Sequence, residues 1–357
     1  MENTPKAQNP LAAWLQRVNP NTKRTFVSLG ALILLFIFFS IVATSRFLSE
    51  INIINLLQSV VTYSIIGFGM TIVVVGGGTD LSAGAAMALA GLMCIYMLSR
   101  NVPIVLSILL AIMVGVAMGL LNGFSVMVLE VLPFIATLGT QWVFRGLTNV
   151  ITDGRPIFTN MLDPEVARKF YLIGGGRIFH LFNKDQGFSV TDIENGFLRV
   201  IARLPNSVII ALVYGIFMYF LLAKTPIGRK IYACGSNVES ARLSGINVVK
   251  TRMFAYVMCS ISATIAGIIV TSRVSSAQTA AGLGIELEGI AAAVLGGVAL
   301  SGGEGGIINT VIGAFIIGIL RNGLNLMGLN SFWQMVIIGF VIVFAVAGES
   351  YRNRKFS

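Results

Sequence analysis

Residues 51–79 read INIINLLQSVVTYSIIGFGMTIVVVGGGT, with no charged side chain between Glu50 and Asp80. A membrane-spanning helix needs about 20 mostly apolar residues, and this stretch exceeds that. Its end differs from its body. Gly77-Gly78-Thr79-Asp80-Leu81-Ser82-Ala83-Gly84 sets glycines, a carboxylate and a hydroxyl at the start of a second charge-free run, 81–99. Glycine permits backbone conformations that break a helix. A break at membrane depth is tolerable only against protein or a water-filled cavity.

The rest of the 357-residue chain has the same character: 55% of it is hydrophobic and 11% charged, against about 25% charged in a soluble domain. That excludes a soluble enzyme, a disordered chain and a nucleic-acid-binding domain, and leaves an all-α polytopic membrane protein. The net charge of +10 needs no acidic partner, because basic residues gather on the cytoplasmic side of membrane proteins.

Cutting the chain at its charges predicts about ten transmembrane helices: 25–43, 54–76, 81–99, 103–128, 132–152, 204–223, 252–272, 286–302, 306–327 and 331–348. The segment 286–303 is short and glycine-rich, and reads equally as a broken or re-entrant helix. The first run, Phe26 to Ala43, exceeds the roughly 7–15 residues of a signal-peptide core, so it is expected to be retained. The expected organisation is a cytoplasmic N-terminal segment 1–24, one transmembrane domain 25–349 and a cytoplasmic tail 350–357. Within the domain lie an extracytoplasmic loop 153–203, with a short helix expected at 163–171, and a cytoplasmic loop 224–252. Both termini then face the cytoplasm. The charge bias agrees: the inner segments hold thirteen basic residues with few acids, and the small outer loops hold only Arg46, Arg100 and Arg273.

Cys94, Cys234 and Cys259 show no metal-ligand spacing and read as unpaired thiols. The single histidine, His180, cannot make a zinc site and reads as a surface residue. No metal is expected.

Residues 296–303, Gly296-Gly297-Val298-Ala299-Leu300-Ser301-Gly302-Gly303, match 77–84 at five of eight positions. Paired glycine-interrupted segments point to an internal repeat and a transport path. Small-residue packing explains them as well. Gly77, Gly78, Gly84, Gly296, Gly297, Gly302 and Gly303 are therefore expected at helix breaks or close packing.

The cytoplasmic loop carries Gly228, Arg229, Tyr232, Ala233, Gly235, Asn237, Ala241 and Ser244-Gly245-Ile246-Asn247. Asn237 suits the cap of a short helix that stops before Gly245. This stretch resembles the coupling-helix region of permease subunits of ribose/galactose-type ABC importers, with Ser240 in place of an alanine. Four other stretches share the resemblance, in order over 51–350. They are 77–84; Pro133 to Thr140 with Arg145-Gly146; Gly284 to Gly303; and Asn322 to Leu326 with Ser331-Phe332-Trp333-Gln334. The outer loop is longer than usual in that family, and Arg321 replaces a common uncharged polar residue.

The resemblance implies a multi-pass subunit of the bacterial inner membrane. It implies a second permease copy, in a homodimer or a heterodimer, a cytoplasmic ABC ATPase and an extracytoplasmic sugar-binding protein as partners, with ATP and magnesium on the ATPase. The sequence itself contains no phosphate-loop motif, so no cofactor is expected on this chain and no enzyme activity of its own. By resemblance Asn237, Val238, Glu239, Ala241, Arg242, Leu243 and Ser244 would meet the ATPase. Asp80, Ser82, Asn122, Phe134, Thr137, Thr140, Asn322 and Asn325 suit a sugar path chemically, although such residues also serve as helix-packing glue. Gly282, Gly284, Glu286 and Glu288 are expected to face the binding protein or an outer gate. Asp80, Arg145 and Arg321 are costly intramembrane charges, read as interhelical bonding or path for Asp80 and as snorkelling for the arginines. Two other readings stay open. One is an ion-coupled secondary transporter using Asp80 and Glu130; the other is an ABC importer of a non-sugar such as a nucleoside or autoinducer. An intramembrane enzyme lacks a catalytic constellation.

Overall fold

The computed structural model describes residues 20–178 and 201–356. The first nineteen residues, most of the second half of the long loop, and His180 lie outside the described residues.

The described chain is almost entirely helical. It begins with α1 (Pro20–Val42), the single turn α2 (Thr44–Phe47), α3 (Glu50–Val75), α4 (Ala83–Ser99), α5 (Ile104–Met127) and α6 (Pro133–Thr152). After β1 (Ile157–Phe158) come α7 (Pro164–Gly174), α8 (Asn206–Lys224), α9 (Pro226–Ser236), α10 (Val238–Leu243) and α11 (Val248–Val274). After β2 (Ser276–Ala277) follow α12 (Ile285–Gly296), α13 (Ile307–Leu326) and α14 (Ser331–Phe356). The two strands pair antiparallel, Ile157 opposite Ala277, and tie the segment after α6 to the end of α11.

Two long helices form the centre. α3, the opening stretch, is buried along most of its length, and α11 packs against α3, α4 and α5. Small residues set how close they come. Gly115, Gly119 and Gly123 of α5 stand one turn apart and meet Thr264, Val257 and Met253 of α11, with no room for a side chain at Gly119. Lipid supplies no hydrophobic drive for helices to associate, so packing of this kind supplies it. α12 and α13 form a hairpin against α3, and α1 lies across α13. α1 also reaches α12, where Ser28 Oγ donates to Leu295 O at 2.6 Å. Large apolar side chains of α1, α5 and α8, such as Leu34, Val105 and Leu212, stay exposed, as a bilayer requires.

Six described helices are long and apolar enough to cross a membrane: α1, α3, α5, α8, α11 and α13. The sequence expectation was about ten, and the physical reasons for the difference are local. α4 has 17 residues because the glycine break takes its first turn, about 25 Å of helix against about 30 Å of hydrocarbon. α12 has 12 residues, so the expected span 286–302 is a half-length helix followed by a loop. α6 has 20 residues but lower hydropathy than the six. α14 runs on from its apolar part, Ser331–Phe344, through the charged tail. The short helix expected at 163–171 is α7, capped by Asp163.

Candidate functional site

α3 ends with the hydrogen bonds of a Schellman cap. Gly77 N bonds Val74 O, Gly78 N bonds Val73 O, and Gly77 takes φ +79°. α12 ends the same way: Gly297 N bonds Val294 O, Val298 N bonds Ala293 O, and Gly297 takes φ +107°. A left-handed residue after a helix favours glycine. The cap geometry equates Gly77 with Gly297, one position off the register in which the sequences match best.

The loop after the first break folds onto a closed polar network. Asp80 is fully buried and accepts from Ser82 N at 2.8 Å and Ser82 Oγ at 2.7 Å. Asn122 of α5 donates to Asp80 Oδ2 at 3.3 Å and to Ser82 Oγ at 2.7 Å. Thr140 of α6 donates to Asn122 Oδ1 at 2.6 Å, and Thr137 Oγ1 accepts from Leu81 N at 3.0 Å. Five of the predicted path residues thus meet at one place, but all are buried. In this conformation they bind α4, α5 and α6 together around the break.

The second break returns to the first. Gly303 N donates to Val75 O at 2.8 Å. Gly235, near the end of α9, packs onto that bond with no room for a Cβ between Val75 O and Gly303 N. Gly302 lies against Gly77 and Gly235. Tyr232 Oη donates to Gly305 O at 2.7 Å, and Arg252 Nη2 donates to Cys234 O at 3.1 Å. Burial raises the Tyr232 phenol above its usual pKa, so it keeps the proton it donates.

From this junction the chain passes directly into α10. Asn237 Oδ1 caps it by accepting from Ser240 N at 2.9 Å, and Gly245, at φ +77°, follows its end. Glu239, Arg242, Leu243 and Ser244 are exposed, Leu243 to 83%. Ala241 is buried with Cys234 and Val248, and Val238 packs partly against them. The helix therefore has a seat, made by Val238 and Ala241, and an open face.

A model of the family described as branched-chain amino acid transport system / permease component matches residues 52–346. The chain belongs to this permease family. The permease is 38% identical over 333 residues to the ribose import permease protein of Haemophilus influenzae, covering 93% of this chain and 94% of that one. It is 41% identical over 320 residues to the ribose import permease protein of Bacillus subtilis, covering 89% and 91%. It is 34% identical over 311 residues to a D-allose transport system permease protein of Escherichia coli, covering 87% and 86%. The resemblance to ribose/galactose-type permeases drawn from the motifs thus extends over nearly the whole chain. No solved structure matches the permease.

The other predicted residues are dispersed. Asn322 of α13 exchanges two side-chain hydrogen bonds with Asn52 of α3, at 2.8 and 2.9 Å, at the opposite end of α3 from Asp80. Asn325 is exposed just beyond, and Phe134 is exposed on α6. Glu286 and Glu288 open α12 with their side chains turned inward. Glu288 pairs with Arg321 and Glu286 accepts from Gln141 Nε2 at 3.2 Å. Gly282, in a left-handed conformation, and Glu286 both press on Gly84 of α4, and Gly284 caps α12. A partner reaching this segment would meet Leu283 and Leu287, which are exposed. Arg145 does not snorkel: its Nη1 donates to Thr279 O and Ala281 O, each at 2.7 Å. Sequence reasoning missed the tie of α6 to the 279–286 segment. Thr137, Thr140, Gln141 and Arg145 at helical spacing was the signal available.

Proposed function

We propose that the permease is the membrane subunit of an ABC importer for a ribose- or galactose-like monosaccharide in a bacterial inner membrane, with both termini cytoplasmic. The observation that carries this reading is α10, a capped and seated helix with an open face, joined through Gly235 and Tyr232 to both helix breaks. A partner ATPase, holding ATP and magnesium, docks on Glu239, Arg242, Leu243 and Ser244. Its movement reaches α3, α12 and α13 through the glycine junction and drives alternating access. The printed names of the relatives, which include ribose, allose and xylose permeases, support a sugar as cargo. A separate extracytoplasmic binding protein delivers it, with the 153–203 loop as the candidate docking surface.

A second copy completes the path. α6 is less apolar than the spanning helices, yet it exposes Phe134, Leu138 and Trp142 along one face. A face covered by a second copy and a water-filled path fits that composition better than lipid does.

Uptake in proteoliposomes tests the reading. The permease is reconstituted with its partner ATPase and binding protein, and labelled ribose, galactose, leucine and a nucleoside are offered. ATP-dependent uptake of a pentose or hexose is expected. Uptake of leucine or the nucleoside alone would replace the cargo. Uptake driven by an ion gradient without ATPase would overturn the mechanism. Against the latter, Asp80 is enclosed while Glu130 stands exposed in the turn after α5.

A further inference from the structure

The Glu286 carboxylate is more than nine-tenths buried, and its Oε2 has no hydrogen-bond partner among the described residues. Gln141 Nε2 serves its other oxygen. Arg145, one turn beyond Gln141 on α6, is within electrostatic reach of Glu286. It uses Nη1 on the carbonyls of Thr279 and Ala281 and leaves Nη2 buried and unpartnered. Oε2 lies instead against Gly84, where a Cβ would collide with it. An unsatisfied buried carboxylate oxygen is costly, and the unsatisfied Arg145 nitrogen repeats the cost. Most buried polar atoms are satisfied, so two such atoms on groups within electrostatic reach of each other point to a missing ligand.

Their chemistry defines that ligand. The carboxylate oxygen accepts and the guanidinium donates, which suits neighbouring hydroxyls of a neutral polyol, each hydroxyl both donor and acceptor. An anion would be repelled by Glu286, and an apolar solute would leave both atoms unpaired. The place fits passage as well. The cluster lies between the first turn of half-length α12, the first turn of α4 and the half-exposed Gln141–Arg145 face of α6. Resting on the sugar-import reading, we propose that Glu286 and Arg145, with Gln141 as the positioning residue, form a transient sugar-hydroxyl station. In this conformation it is closed by the contact of Glu286 with Gly84.

The test uses the reconstituted complex with D-ribose, D-galactose and those monodeoxy analogues that the isolated binding protein still holds. Glu286→Gln is expected to weaken the concentration dependence of uptake by roughly tenfold to a hundredfold. Complex assembly and ATP hydrolysis stimulated by the binding protein should be unchanged. One monodeoxy analogue should be transported poorly by the native permease and no worse by the variant, since both lack the same bond; a merely structural role would not produce that equality. If Glu286→Gln fails to assemble, Gln141→Leu carries the same comparison. Native uptake unaltered by both substitutions, or an equal loss for every analogue, would overturn the station and leave sugar import standing. Absence of sugar uptake by the native complex would overturn the import reading, and the station with it.

Discussion

Single side chains carry disproportionate weight in this chain because the interior offers few polar partners. Asn122 bridges Asp80, Ser82 and Thr140 at full burial. Asn122→Leu removes those bonds and leaves a buried carboxylate short of donors, a cost of about 3 kcal/mol or more. The unfolding midpoint in detergent should fall by several degrees, and Thr140→Val, which removes one bond, should lower it less. An unchanged midpoint for Asn122→Leu would show that Asp80 is served by water instead. Gly235 acts through space alone. A methyl group there must displace the Val75–Gly303 hydrogen bond, and overpacking of this kind costs about 1–3 kcal/mol. Gly235→Ala should retain the ATPase, since the open face of α10 is untouched, while sugar uptake falls by about tenfold or more. Normal uptake in that variant would sever the junction from coupling. The sequence showed that these residues were unusual but not why. Asp80 beside glycines reads as a bond or as a path, and the bonds it makes where α4, α5 and α6 meet could not be read from the sequence.

At the scale of elements, helix ends were more legible than helix lengths. Caps are local chemistry, so Asn237 and Gly245 could be read directly. The length of α12 depends on where glycines let the chain turn, and 286–302 offers several such points. The spacing of Gly115, Gly119 and Gly123 was visible, but the partner, α11, lies more than a hundred residues away. α10 separates seat from face clearly enough to test. Leu243→Asp changes a side chain that is 83% exposed, so the permease should fold and lose ATPase on co-purification. Ala241→Asp puts a charge into the pocket of Cys234 and Val248 and should lower the yield of folded permease as well. Equal behaviour of the two variants would mean that α10 does not present a face. Retention of the ATPase by Leu243→Asp would place docking elsewhere.

The whole molecule is held by α3 and α11, and it leaves α6 in an unusual position. Charge spacing marked residues 132–152 as one more span, because it registers interruptions and not the surroundings of a helix. The structure shows a helix whose buried side sets Thr137, Thr140 and Thr148 beside Ala136 and Phe144, and whose open side is apolar and aromatic. Turning an apolar side to lipid and the threonine-bearing side to protein would satisfy each face separately. Yet Gln141 and Arg145 lie at the boundary, half-exposed, and a lipid-facing guanidinium is costly. In the proposed dimer, a second copy facing α6 removes that cost by keeping water beside these two side chains. Phe134, Leu138 and Trp142 lie at i, i+4 and i+8 along this face. A cysteine at one of them should come near its twin across a two-fold axis, since such an interface is self-complementary. Single cysteines at positions 134, 138 and 142 are therefore expected to give at least one oxidised dimer in native membranes. A cysteine replacing Val105, 72% exposed on α5, should remain monomeric. The native cysteines, Cys94, Cys234 and Cys259, are buried and compete little. Cross-linking at Val105 but at none of the α6 positions would move the dimer to the other side of the molecule, and Gln141 and Arg145 would then border lipid rather than a path.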